Sequence, residues 1–509
     1  MTRTVACLEE GGYLRRRADP ADRRAALVSL TDRGRATLLA DRERRDAWLA
    51  RRLTQLTPEE RDVLRHAAPA RPTRLRGLTP RVSPTFRSLA NANYRRYAAG
   101  GIVSNTGTWM QRVAQDWLVL QLTGNSGTAI GITTGLQFLP FLLLAPVAGL
   151  VADRMPKHRL LQLTNLGMAL PAAVLGLLTV TGQVQLWHVY VLAFLLGTAA
   201  VFDAPARQSF VSEIVDVDDL SNAVGLNSAS FNAARIVGPA AAGFLIAALG
   251  GGATATGWVI LVNAASYAAP IAALRSLDLR RLDSPEISRR EPGMIRAGVR
   301  YVRNRPDLLL VLGIVFVVGT FGLNFQMTSA LMATEVFHKG PGEYGLLGTF
   351  MAVGSLTGAL VAARRERVRQ RLVIVAALVF GVVEVGAGLV PSYVAYAVVV
   401  PLLGLSALTM ITGANTYMQL HTTPGMRGRV MALYMMIFLG GTPAGAPLVG
   451  WVGETFGARW TLIGGGGVTV LGVLASVGLF LWGRQRAENP ADTPAVAGVS
   501  RFDPRAATE

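Results

Sequence analysis

Between about positions 97 and 482 the chain alternates apolar runs with short polar loops. Each run is about twenty residues long, the length a helix needs to cross the hydrocarbon layer. Twelve such runs centre near Trp109, Leu139, Leu170, Phe194, Arg235, Ser266, Gly319, Ala352, Leu378, Gly404, Leu439 and Val470. Only alternate loops are basic. Positions 153–159, 203–220, 275–305, 364–371 and 421–429 hold nearly all the arginine and lysine of this region, whereas 123–126, 182–185, 250–256, 335–343, 391–393 and 454–459 hold little. Basic loops stay on the cytoplasmic side. The pattern therefore predicts an all-helical lipid-bilayer protein of twelve spans with both chain ends in the cytoplasm, in the cell membrane. A miscount by one span would break the alternation.

Composition adds exclusions. The formal net charge of +18 over 509 residues is the kind of excess that nucleic-acid binders carry, but here the topology of the loops and the basic first eighty-odd residues account for it. A single cysteine, Cys7, permits neither an internal disulfide nor a cysteine-based zinc site. The two lysines, Lys157 and Lys339, follow Pro156 and His338, so no phosphate-cradling Gly-Lys-Ser/Thr loop exists. Gly-x-Ser-x-Gly and His-Glu-x-x-His are also missing. No cofactor, metal or enzymatic activity is expected. The polar, arginine-rich start, through Arg76, does not resemble a signal peptide, which leaves the first span to direct insertion.

The spans are duplicated. Gly358-Ala-Leu-Val-Ala-Ala-Arg, leaving the eighth span, parallels Gly149-Leu-Val-Ala-Asp-Arg, leaving the second. Pro443 of span 11 stands at nearly the same offset from Gly238-Pro239 of span 5. Six plus six spans form the repeat many secondary transporters use, with substrate near the midplane between halves. The expected boundaries are 95–276 and 307–483 for the halves, 277–306 for the loop between them, 70–94 for a linker and entry segment, and 484–509 for a disordered tail. A monomer is expected.

The loop GLVADRMPKHRLL (149–161) resembles the signature loop of the major facilitator superfamily, with Pro156 where that family usually has glycine. Segments WMQRVAQDWLVLQLTG (109–124), AVFDAPARQSFVSEIV (200–215) and MRGRVMALY (426–434) are similar to its drug and siderophore exporter branch. The resemblance covers about 85–485. It implies alternating access, with Gly149 admitting close approach of spans 2 and 11. It further implies that Asp153, Arg154, Asp203, Arg207, Arg427 and Arg429 form a conformational latch. For 203–219 a plain helix stop is the rival reading, with Pro205 breaking span 4 and Asp218/Asp219 capping the next helix. ARIVGPAAAGF in span 5 resembles the Gly-Pro motif of proton-coupled antiporters through Gly238, Pro239 and Gly243, although Ala234 and Ala242 stand where glycine is common. Export of a small amphipathic compound in exchange for protons follows as the leading expectation, with an uncoupled facilitator or importer as the alternative.

Four ionisable residues fall well inside spans: Arg112 and Asp116 in the first, Arg235 in the fifth and Glu384 in the ninth. A mid-helix charge costs about 2.5–3.5 kcal/mol on insertion scales, so such residues usually face a wet cavity or a partner. Arg112 and Asp116, four apart on one helical face, are expected either to neutralise each other or to serve substrate or proton. Arg235 has no acidic neighbour on its own helix and is the stronger functional candidate. Glu384 reads equally as a proton carrier or as a packing residue at a peripheral span. In the implied fold spans 1, 4, 7 and 10 line the cavity, which singles out Asn105, Asn324 and Asn415. Other polar candidates are Gln111, Gln137, Asn227, Asn232, Gln326 and Gln419. Phe325, Met327, Met332, Tyr417 and Met418 would suit an adaptable apolar ligand.

Residues 1–69 break the pattern. Positions 8–38 resemble the wing of a MarR-type winged-helix regulator, in which Arg15, Arg16, Arg17, Arg23 and Arg24 would reach DNA phosphates or the minor groove. The helices that would build that domain's core are missing, and a hairpin with one or two helices buries too little surface to stand alone. A membrane-tethered regulator, an inert remnant and a misassigned gene start all remain open, with nucleic acid the less favoured partner. Val82 offers an alternative GTG start just ahead of the segment that opens at Thr85.

Overall fold

The computed structural model describes residues 8–18, 26–54, 57, 84–282, 294–363 and 369–488, and the chain separates into two units, Met1–Arg81 and Val82–Glu509. In the first, β1 (Leu14–Ala18) pairs antiparallel with β2 (Ala26–Leu30), and a helix follows over Asp32–Thr54. The Thr31 hydroxyl accepts from Gly34 N at 3.1 Å, starting that helix, and donates to Gly12 O at 2.7 Å. Arg15 is exposed on β1; Arg23 and Arg24, expected at the wing tip, lie outside the described residues. The hairpin buries little, with Val28 and Leu30 both exposed.

In the second unit eleven segments of the described chain are long and apolar enough to cross a membrane. The twelfth is Ala92–Thr123, whose polar centre, with Gln111, Arg112, Gln115 and Asp116, lowers its hydropathy but whose 32 residues exceed the span length. Asn91 caps its start by accepting from Asn93 N and Tyr94 N, and Gly124, at φ 61°, ends it in the left-handed conformation. Spans 2 to 6 are Gly127–Arg154, Lys157–Val180, Leu186–Ile214, Val217–Ala248, and Ala253–Ser266 continued by Ala268–Arg275. Span 7 begins as Pro306–Val317, loosens into a π-turn at Val318–Gly322, resumes at Phe325–Leu331 and loosens again at Met332–Val336. Spans 8 to 10 are Pro341–Ala363, Gln370–Leu389 and Tyr393–Leu420. Span 11 comprises Pro424–Gly440 and Thr442–Phe456, and span 12 is Ala458–Glu488.

Four local expectations are corrected. Pro205 does not stop span 4, which runs through it to Ile214; a proline removes one backbone donor, and the surrounding turns carry the helix on. The break falls at Val215, and Asp216 rather than Asp218 or Asp219 is the N-cap of span 5. The basic loop between the halves contains a helix, Met294–Arg303, with Gly298 and Val302 buried and Val299 and Arg300 exposed. Span 12 extends past the expected start of the tail at 484.

The halves meet along two helix pairs that approach almost backbone to backbone. A Cβ on Gly131 of span 2 would lie 2.4 Å from Ala446 O of span 11, and one on Gly243 of span 5 would lie 2.3 Å from Pro341 O of span 8. Without a hydrophobic drive between helices in lipid, such small-residue contacts and interhelical hydrogen bonds hold the bundle. Among the described residues the close approach of spans 2 and 11 includes Gly127, Gly131 and Gly135, towards the Thr123 end.

Candidate transport site

Between the halves lies a cavity of about 410 Å³. Trp109 and Arg112 of span 1, Phe138 of span 2, and Phe231, Arg235 and Pro239 of span 5 wall it on one side; Asn324, Phe325 and Gln326 of span 7, Tyr344 of span 8, Glu384 of span 9 and Phe438 of span 11 are among those on the other. The volume falls in the range of about 300–1,000 Å³ typical of small-molecule sites.

Trp109 organises the amino-terminal wall. Gly238 has no side chain, and a Cβ there would lie 2.6 Å from Trp109 Cβ, so the glycine admits the tryptophan against span 5. The ring meets Phe231 edge-on with centroids 5.9 Å apart. Two guanidiniums lie over the same indole, Arg112 at 4.8 Å and Arg235 at 5.5 Å from its centroid, and Arg112 also stands 5.9 Å from the Phe138 ring. A cation over an aromatic face is held by the ring quadrupole, the more firmly where water is excluded.

The expected neutralising pair of Arg112 and Asp116 is not formed. Asp116 is buried and accepts a 2.9 Å hydrogen bond from the hydroxyl of Tyr344, on the other half. The Tyr344 ring also stacks on Trp117, with centroids 6.2 Å apart. The shared helical face made the ion pair possible, but Arg112 lies against aromatic rings and a phenol from span 8 takes the carboxylate. Other bonds join the halves nearby. Thr349 donates to Ile236 O at 2.7 Å, and Glu454 of span 11 accepts from Ser126 Oγ at 2.8 Å and from Thr128 N at 3.2 Å. The Glu454 carboxylate thus sits at the amino end of span 2, where the helix dipole favours negative charge.

Glu384 is not at a lipid edge. It is 2 % exposed, lines the cavity, and its Oε2 has no hydrogen-bond partner among the described residues. The π-turn of span 7 and the glycines of span 12 frame it; a Cβ on Gly322 would lie 3.2 Å from Oε2 and one on Gly465 3.3 Å from Oε1. Asn324 lines the cavity and donates to Thr320 O at 3.0 Å and Phe321 O at 3.2 Å, satisfying carbonyls freed where the helix loosens.

Asn105 and Asn415 do not line the cavity; Asn415 accepts from Gln419 Nε2 at 2.5 Å on its own helix. Gln111 is buried and accepts from Asn263 of span 6, so it ties helices together. Tyr417 packs against His421, with centroids 3.9 Å apart, while Met332 and Met418 are in the core. Phe325 and Met327 do reach the cavity.

At the opposite end of the bundle, Arg207 Nε binds Asp203 Oδ2 at 2.7 Å, and Thr164 donates to Asp203 Oδ1 at 2.8 Å. Lys157 pairs with Glu213, and Arg87 with Asp219 at 2.5 Å. These bonds lie within the amino-terminal half. Arg427 Nε donates to Gln419 O at 3.1 Å within the other, and Arg154 is exposed. Pro156, at φ −56°, precedes span 3 and fixes the turn between Arg154 and Lys157. Tyr344, Glu454, Glu213 and Thr349 went unnoticed in the sequence, because each acts through a partner remote in the chain.

Two six-span repeats around a cavity between the halves have the architecture of a secondary transporter of the major facilitator class. The chain belongs to the MFS_3 family of transmembrane secretion effectors, whose family model matches residues 83–497. It is 28% identical over 373 residues to the multidrug efflux pump Tap of Mycolicibacterium fortuitum, covering 71% of this chain and 89% of that one. It is 24% identical over 355 residues to the staphyloferrin A transporter of Staphylococcus aureus, covering 69% and 87%. Its fold is similar to that of a bacterial homologue of the human lysosomal transporter Spinster in an inward-facing, unoccupied conformation. The TM-score is 0.56 at 15% identity, over 81% of this chain and 100% of that one.

Proposed function

We propose that the protein exports a small amphipathic compound across the cell membrane by alternating access, in exchange for protons. The observation that carries this reading is the cavity between two halves joined at one end by the Asp116 to Tyr344, Thr349 to Ile236 and Glu454 to Ser126 contacts. The multidrug efflux pump among the relatives supports the direction.

Asp116 is the proposed proton carrier. Its carboxylate accepts the Tyr344 hydroxyl across the interface. Protonation weakens that acceptor, so loading a proton and parting the halves at this end are linked through one bond. The basic loops face the cytoplasm in this reading, which puts the Thr123 end outside and both termini inside. The latch residues Asp153, Arg154, Arg427 and Arg429 then serve the opposite, cytoplasm-closed state, and the working unit is a monomer.

The test is uptake into inverted vesicles with an imposed pH gradient. An acidic lumen should drive uptake of labelled amphiphiles, and collapsing the gradient should stop it. Uptake that ignores the gradient would leave a facilitator, and Asp116→Asn should reproduce that behaviour.

A further inference from the structure

The amino-terminal wall of the cavity holds two cations that make no contact ion pair among the described residues. Arg112 and Arg235 sit on neighbouring spans over one indole ring, and among the described residues neither guanidinium has an ion pair or a protein hydrogen bond. The nearest acidic neighbour on the chain, Asp116, accepts the Tyr344 hydroxyl and acts on Arg112 only through space, leaving the guanidinium N–H groups without an oxygen partner. Two like charges at membrane depth, each costing about 2.5–3.5 kcal/mol to insert, repel one another and retain N–H groups that the rings do not satisfy. Their side chains are only partly buried and line the open space. The single carboxyl among the described lining residues, Glu384, belongs to span 9 of the other half.

We propose that this wall is an anion-binding subsite and that the transported compound is an aromatic organic anion. Its carboxylate or sulfonate is held between Arg112 and Arg235, and its apolar body lies against Phe138, Phe231 and Phe438. Guanidinium forks match two oxygens of a carboxylate or sulfonate with paired hydrogen bonds, which a low-dielectric site strengthens. Trp109 serves as a shared platform fixing both forks, and Gly238 fixes Trp109.

The inference deepens the export reading by naming its substrate class, and its test needs no gradient. The full chain in nanodiscs of neutral phosphatidylcholine is titrated with 1-naphthylacetate and, separately, with 1-naphthylethylamine, against empty nanodiscs. The carboxylate is expected to bind saturably and about tenfold or more tighter than the amine. Arg112→Gln and Arg235→Gln should each weaken it by about tenfold or more, with the lysine variants retaining part of the affinity. Tighter or equal binding of the amine overturns the proposal, as does no saturable binding of the carboxylate or wild-type affinity in the double glutamine variant. Because the comparison of the two probes uses the wild-type protein, misfolding of a variant does not shelter the idea. Gradient-independent uptake in vesicles would sink proton coupling and leave this result standing.

Discussion

At the residue scale, an ionisable side chain inside an apolar run is rare enough to stand out, and Arg112, Asp116, Arg235 and Glu384 were legible for that reason. Their partners were not. Tyr344 lies 228 positions from Asp116, and a tyrosine near a span end reads first as an interfacial anchor. Asn105 and Asn415 were selected by span number and share helical faces with the lining residues Trp109 and Arg112 and Leu408 and Ile411, yet each lies a turn or more beyond the cavity, so depth along the span kept both out. The contact between Asp116 and Tyr344 gives a sharp expectation. Tyr344→Phe keeps the ring and removes the donor, leaving a buried carboxylate unpaired at a cost of about 1–3 kcal/mol, borne only while that end is shut. Labelling of a cysteine at Gln326, in a Cys7→Ala background, by an impermeant maleimide added from the Thr123 side should accelerate by about fivefold or more. An unchanged rate would mean the bond does not hold the halves.

At the element scale, periodicity and loop charge were enough to count and centre the spans, because length against bilayer thickness is a strong constraint. Departures inside helices were hidden. The π-turns at Val318–Gly322 and Met332–Val336 carry no proline, and Asn324 shows its role only once its donors meet the freed carbonyls. The helix Met294–Arg303 was masked by arginines that mark its segment as loop. The glycine contact of spans 2 and 11 yields a second expectation. Gly131→Leu would push a side chain into Ala446 O, and overpacking of about 1–3 kcal/mol shifts the balance away from the Thr123-closed state by about 5- to 150-fold. Spin labels across the two spans should report a wider distance, with transport reduced. The latch residues give the converse: Asp153→Asn should lower transport more than it lowers the amount of folded protein, measured by vesicle uptake against size-exclusion yield. Equal transport per folded molecule would remove Asp153 from the cycle.

At the scale of the whole molecule, the matched family region, 83–497, and the second compact unit, Val82–Glu509, begin within a residue of each other. The described residues before that point include a hairpin and a helix with Val28, Leu30, Leu39 and Trp48 exposed, and no methionine separates Met1 from Met110, which lies inside span 1. A chain starting at Met110 would keep too little of that span to cross the bilayer. A chain starting at Val82 keeps the segment Pro84–Ala90, with Ser88 bonded to Asn222 and Arg87 to Asp219, so the entry to span 1 stays anchored to span 5. Such a chain should therefore transport at the full chain's rate per molecule in the vesicle assay, because every contact named at the cavity and between the halves lies after Val82. A loss of more than about tenfold, with expression and monodispersity intact, would assign the leading unit a working part in transport. Peptides from residues 25–33 in the natively expressed protein, read by mass spectrometry, would show that the leading unit is made at all.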